Sequence, residues 1–122
     1  MTDELHYLSL VDAGKKIAGG EISSAELTAA MLARIEKLNG SLHAYVTVLG
    51  ESALAEAAEA DAELARGETR GPLHGVPVAV KDLMAMTGVR TSAGMPILKD
   101  RITAYLANCP PSISGQHGHR RT

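Results

Sequence analysis

At 122 residues and a formal net charge of −2, the chain holds about one domain and has no basic surface suited to nucleic acid. It has no basic run for an anionic membrane, and its longest apolar run falls far short of the roughly 18 residues that span a bilayer. The lone Cys109 excludes an internal disulfide, and the acidic start Met1-Thr2-Asp3-Glu4 lacks the apolar stretch of a secretory signal, so a reducing cytoplasm is the expected setting.

Ser9, with Asp12 three residues on, predicts a helix N-cap. The helix over Leu10 to Ala18 puts Leu10, Ala13, Gly14 and Ile17 on one face, and Gly19-Gly20 stops it. Ser23-Ser24-Ala25-Glu26 is a capping box, in which hydroxyl and carboxylate satisfy exposed amides reciprocally. Leu27, Met31, Ile35 and Leu38 then recur at helical spacing, and Asn39-Gly40 is the expected end. Met31 reads as core filling; Arg34 and Glu36 read as solvated face.

Ala44 to Val48, carrying Tyr45, Val46 and Val48, predicts a strand covered on both faces. His43 before it has no second ligand at metal-binding spacing and reads as a surface histidine. Glu51 to Arg66 is rich in alanine and glutamate and predicts a helix closed by Gly67 at C′. Leu54, Ala57, Ala58, Leu64 and Ala65 form its apolar stripe, which Asp61 interrupts. Its acidic residues point round the cylinder and read as a solvated face, not a cation site.

Gly67 to His74 is a loop with no GxGxxG or Walker pattern, so Gly71 and Gly75 are turn residues. His74 reads as structural. Val76 to Val80 is short, apolar and β-branched, which predicts a buried strand. Lys81 follows it directly. Taken alone, Lys81 is a strand-end lysine whose amine snorkels to water. Asp82 follows, and neighbours on a strand face opposite ways, so Asp82 is expected to support the local backbone.

From Ile102 onward helical periodicity is lost, and Cys109-Pro110-Pro111 breaks any element. Such a segment buries too little apolar surface to offset its ordering entropy, which predicts poor order. His117-Gly118-His119 reads as part of this tail, not as a metal site.

The run GPLHGVPVAVKDLMAMTGVRTSAGM, with its Gly-Pro-Leu turn, Gly-Val-Pro step, Lys81-Asp82 pair and Thr87, Gly88, Thr91, Gly94 loop, resembles the lysine segment of the amidase-signature family. A looser resemblance extends over about residues 5 to 100. The resemblance implies an α/β fold: the N-terminal part of a mixed-sheet α/β/α domain, incomplete, with helices packed on a few strands. It implies an amidase portion over residues 1–101 and an irregular tail over residues 102–122, where the sequence departs from the family pattern near Lys99 to Ile102. It also implies that Lys81 is the catalytic base of a Ser–cis-Ser–Lys triad acting on a small-molecule amide, without cofactor or metal. Both serines belong to a downstream glycine- and serine-rich segment. No such segment occurs here; Ser112 and Ser114-Gly115 lack its flanking glycines and come too soon.

Amide hydrolysis needs a nucleophile, a base, oxyanion donors and an acid for the leaving amine. Of these the resemblance supplies only the base, so the chain alone is expected to be inactive. Within the same family, the amidase subunit of a tRNA-dependent amidotransferase fits the same segment. From another class, the chain fits a non-catalytic remnant or an interaction module that forms a homo-oligomer through an exposed sheet edge.

Overall fold

The computed structural model describes residues 2–104, and the chain divides into two compact units after Pro77.

In the first unit a 3-10 turn, Thr2–Tyr7, precedes three helices: α1 (Leu10–Ala18), α2 (Ser24–Leu42) and α3 (Gly50–Ala65). The Ser9 hydroxyl accepts from the Asp12 amide at 3.1 Å and caps α1. The α1 exit is a Schellman motif: Gly20 N–H donates to Ile17 C=O and Glu21 N–H to Lys16 C=O, with Gly20 at φ 70°. The capping box of α2 is complete, with Glu26 N–H to Ser23 Oγ at 3.0 Å and Ser23 N–H to Glu26 Oε2 at 2.8 Å. α3 ends as α1 does, with Gly67 at φ 78° and Glu68 N–H bonded to Glu63 C=O.

Ala13, Ile17 and Leu27 are the buried centre of this unit, packed by Leu5, Leu8, Ile22, Met31, Leu64 and Val76. Burial of a side chain such as Ile17 or Leu27 stabilises by about 1.5–3 kcal/mol. Of the expected α1 face, Ala13, Gly14 and Ile17 are buried, whereas Leu10 is exposed. Gly14 is needed because α1 rests on a backbone turn: a Cβ there would lie 2.3 Å from the Pro72 carbonyl oxygen.

Two expectations need correction here. α2 does not stop at Asn39-Gly40 but runs to Leu42, and His43 takes the left-handed cap position at φ 49°. Ala44 to Val48 is not a strand. Asn39 explains both. From inside the helix its amide donates to Tyr45 C=O at 3.0 Å and accepts Tyr45 N–H at 2.8 Å. Those are the two groups a ladder partner would have paired, so the segment is tied down as a loop. Tyr45, Val46 and Val48 are exposed, not covered.

The second unit begins at Val78. Val76 to Val80 has no ladder partner among the described residues and is not a strand, and it is not buried, since Val78 and Ala79 are exposed. Among those residues the mixed sheet is therefore not formed, and neither is the sheet edge expected to pair two copies. Strand propensity creates an extended chain; a ladder needs a second backbone beside it. What pairing exists comes from two isolated bridges, Thr87 with Thr103 and Arg90 with Ile102. Gly88 N–H donates to Thr103 C=O at 2.8 Å and Thr91 N–H to Arg101 C=O at 2.9 Å. Ile102 and Thr103, assigned from sequence to the irregular tail, thus pair back onto residues 87–91, and Thr103 is buried. The rest of that tail expectation falls on residues 105–122, outside the described residues.

Candidate functional site

Lys81 follows the apolar run Val76 to Val80 and is exposed. Among the described residues, no side chain hydrogen-bonds or ion-pairs with it. The Lys81 carbonyl accepts from Met84 N–H at 2.9 Å, which opens a tight turn. Asp82 lies inside that turn. Its Oδ1 accepts the Ser92 amide at 2.9 Å, its Oδ2 accepts the Ser92 hydroxyl, and its own carbonyl accepts Ala93 N–H at 3.1 Å. The Ser92 hydroxyl and then the Ser92 amide hold the Asp82 carboxyl below its ordinary range; partial burial opposes them. Asp82 is thus a local backbone support, as expected from sequence.

The loop after Lys81 explains its small residues. Gly88 and Gly94 lie at φ 74° and 70°, and Ala93 takes φ 52°, a left-handed conformation uncommon for a residue with a Cβ. Thr91 and Ser92 are buried beneath it.

In the first unit, the turn that leads to Lys81 is held from two sides. The buried Ser24 hydroxyl donates to Gly75 C=O at 2.5 Å. Gly75 lies at φ 76°, and a Cβ there would meet Ser24 Cβ at 3.0 Å, so both space and backbone angle require glycine. His74 is buried: Arg70 N–H donates to its Nδ1 at 3.0 Å, which leaves Nε2–H to donate to Ala60 C=O at 2.8 Å. The ring pins loop to helix, and the structural assignment of His74 stands. Arg70 reaches back to Glu63 through two bonds of 2.6 and 2.8 Å. That guanidinium holds the Glu63 carboxyl below its ordinary range.

Asp61 has a role the sequence did not disclose. From α3 its two oxygens accept the Ser24 amide at 2.7 Å and the Ala25 amide at 3.0 Å. It caps α2 from another helix. The break it makes in the α3 stripe was the one signal available; its partner lies 37 residues away.

Elsewhere in the first unit an open groove of about 480 Å³ is lined by Leu32, Ile35, Glu36, Asn39, Gly40, Val48 and Gly50. It brings no pair of acid and base groups together. Among the described residues, no group of three or more His, Cys, Asp or Glu side chains is placed to hold a metal ion, and no helix is long and apolar enough to cross a membrane.

Comparison with known proteins identifies the family. The family model for amidases matches residues 26–109. A glutamyl-tRNA(Gln) amidotransferase subunit from Carboxydothermus hydrogenoformans is 46% identical over 102 residues, which are 84% of this chain and 21% of that protein. Its counterpart from Anaeromyxobacter dehalogenans is 49% identical over 102 residues, with the same coverage. A solved structure, described as an unexpected vestigial protein complex that reveals the evolutionary origins of an s-triazine catabolic enzyme, matches with a TM-score of 0.77 at 35% identity. That match covers 82% of this chain and 22% of the other. The chain thus spans about a fifth of the length of the relatives it matches, and across that span it belongs to the amidase-signature family.

Proposed function

We propose that this chain carries the base-bearing segment of an amide hydrolase, with Lys81 as the base and a small-molecule carboxamide as the substrate. One observation carries the reading: Lys81 sits where the family pattern has its lysine, its amine is free among the described residues, and the residue after it is bonded into the Thr87–Gly94 loop. In the complete reaction the amine of Lys81 serves as the base, taking a proton relayed through a bridging serine from a nucleophilic serine. That serine attacks the carbonyl carbon, and the C–N bond breaks as the leaving nitrogen takes a proton. Water then releases the acid from the acyl-enzyme. The 122 residues contain no glycine- and serine-rich segment to supply those serines. Val76 to Val80 would become a strand of the mixed sheet once a partner backbone lies beside it. The setting we assign is the cytoplasm, as the lone cysteine suggests.

A second reading is favoured by the names of the relatives: this is the corresponding part of an amidotransferase subunit, for which the amide is glutamine and the ammonia passes to a partner.

The test is a chimera. The stretch of this chain that matches the Carboxydothermus protein replaces its counterpart there, and ammonia release is measured from glutamine and from simple carboxamides. We expect turnover in the chimera, its loss on Lys81→Ala, and none from the 122-residue chain alone. Preference for glutamine would favour the second reading. Turnover unchanged by Lys81→Ala would refute both.

A further inference from the structure

We infer that Asp82 is a positioning residue for Lys81, acting through Ser92. The assignment rests on Lys81 as the base and adds what holds that base in place.

The two flanks of Lys81 are held differently. Upstream, Val78, Ala79 and Val80 make no backbone hydrogen bond among the described residues, and neither does the Lys81 amide. On that side no backbone hydrogen bond among the described residues holds the lysine. Downstream, three bonds converge on a single residue. The Asp82 carboxylate takes both the amide and the hydroxyl of Ser92, and the Asp82 carbonyl takes the amide of Ala93. One peptide separates Asp82 from Lys81, about 3.8 Å between Cα atoms. Fixing Asp82 therefore fixes the main chain from which the lysine side chain departs.

Ser92 is a suitable anchor because it is buried, and its hydroxyl also lies 3.4 Å from Gly94 N–H. The Ser92 amide and hydroxyl hold the Asp82 carboxylate, and the Ala93 amide holds the Asp82 carbonyl. Ala93 keeps its left-handed backbone because its amide is used by Asp82. The Met84 amide, bonded to the Lys81 carbonyl, reports directly on whether this arrangement reaches the lysine.

The experiment is residue-resolved amide hydrogen exchange by NMR on the 122-residue chain. It compares the wild type with Asp82→Ala, Asp82→Asn and Ser92→Ala. In Asp82→Ala the Ser92, Ala93 and Met84 amides should exchange about ten- to hundredfold faster, the span expected for loss of a charge-assisted bond. Asp82→Asn keeps the side-chain shape and an oxygen for the Ser92 amide, so it should restore most of the protection. The Ile17 and Leu27 amides should not change. A Met84 amide that stays protected while Ser92 loses protection would overturn the proposal, since Asp82 would then serve only its own turn. Acceleration that extends to Ile17 and Leu27 would overturn it too. If Asp82→Ala does not fold, Ser92→Ala decides by the same Met84 criterion, with a smaller acceleration expected. The readout needs no turnover. Failure of Lys81 as the base, seen in the chimera, is therefore distinct from failure of this clamp.

Discussion

Replacing one glycine by alanine in each of two helices should move stability in opposite directions. Gly14 lies in α1 and Gly40 in α2. Alanine is the better helix former by about 1 kcal/mol, so propensity alone predicts that both variants are stabilised. The surroundings differ. At Gly40 an added Cβ meets nothing within 4 Å, so Gly40→Ala should gain about 0.5–1 kcal/mol. At Gly14 the Cβ would lie 2.3 Å from the Pro72 oxygen and 3.4 Å from its carbon. Real Cβ contacts do not fall below 3.0 Å, so the groups must part by well over half an ångström. The obstacle is backbone, with no rotamer to turn aside. Either the turn before Leu73 shifts, or α1 backs away and lifts Ile17 from the core. Overpacking of this kind costs about 1–3 kcal/mol, and a forced move of backbone belongs at the upper end. After the propensity gain, Gly14→Ala should be destabilised by about 1–2 kcal/mol. For a unit of this size each kcal/mol shifts Tm by about 4–8 °C. The two variants should then melt on the order of 10 °C or more apart, with the wild type between them. Thermal melts followed by helical circular dichroism, checked by urea titration, measure this directly. A Gly14→Ala protein as stable as Gly40→Ala would refute the close approach of α1 to the Pro72 turn.

Asp61→Ala should lower stability by about 1–2 kcal/mol, because it leaves the Ser24 and Ala25 amides at the α2 N-terminus without their acceptor; a urea midpoint equal to the wild type's would contradict the capping role. His74→Ala should destabilise by about 1–3 kcal/mol, since it strands the Arg70 amide and the Ala60 carbonyl. Proteolysis confined to the 67–75 loop would report its release. Two carboxyls, Glu63 and Asp82, sit below their ordinary values of 4.5 and 3.8. A depressed folded value means that their stabilisation is complete above the ordinary value and is lost as pH falls through the folded one. Acid titration should therefore leave the Ser92 amide protected at neutral pH and release it only below about pH 4; protection lost near neutrality would show that the Asp82 carboxylate is not its anchor.

Much of the first unit was legible in the sequence because its signals are local. Ser9, the Ser23–Glu26 box and Gly67 satisfy amides or adopt backbone angles within a few residues of themselves, and each did so where expected. The family was legible for another reason, since turns, spacing and charge around the Lys81-Asp82 pair coincide along one continuous stretch. What the sequence did not decide depends on partners distant along the chain. Asp61 looked like a flaw in an apolar stripe until α2 supplied two bare amides. The Ala44–Val48 segment had strand composition, but Asn39 occupied the backbone groups of Tyr45. Val76 to Val80 has strand composition, yet such a run becomes a strand only when another backbone lies alongside, and none does among the described residues. Helix caps are closed by their neighbours in sequence, whereas ladders and cross-helix caps are closed by neighbours in space. That is why the tertiary structure alone settled the second group.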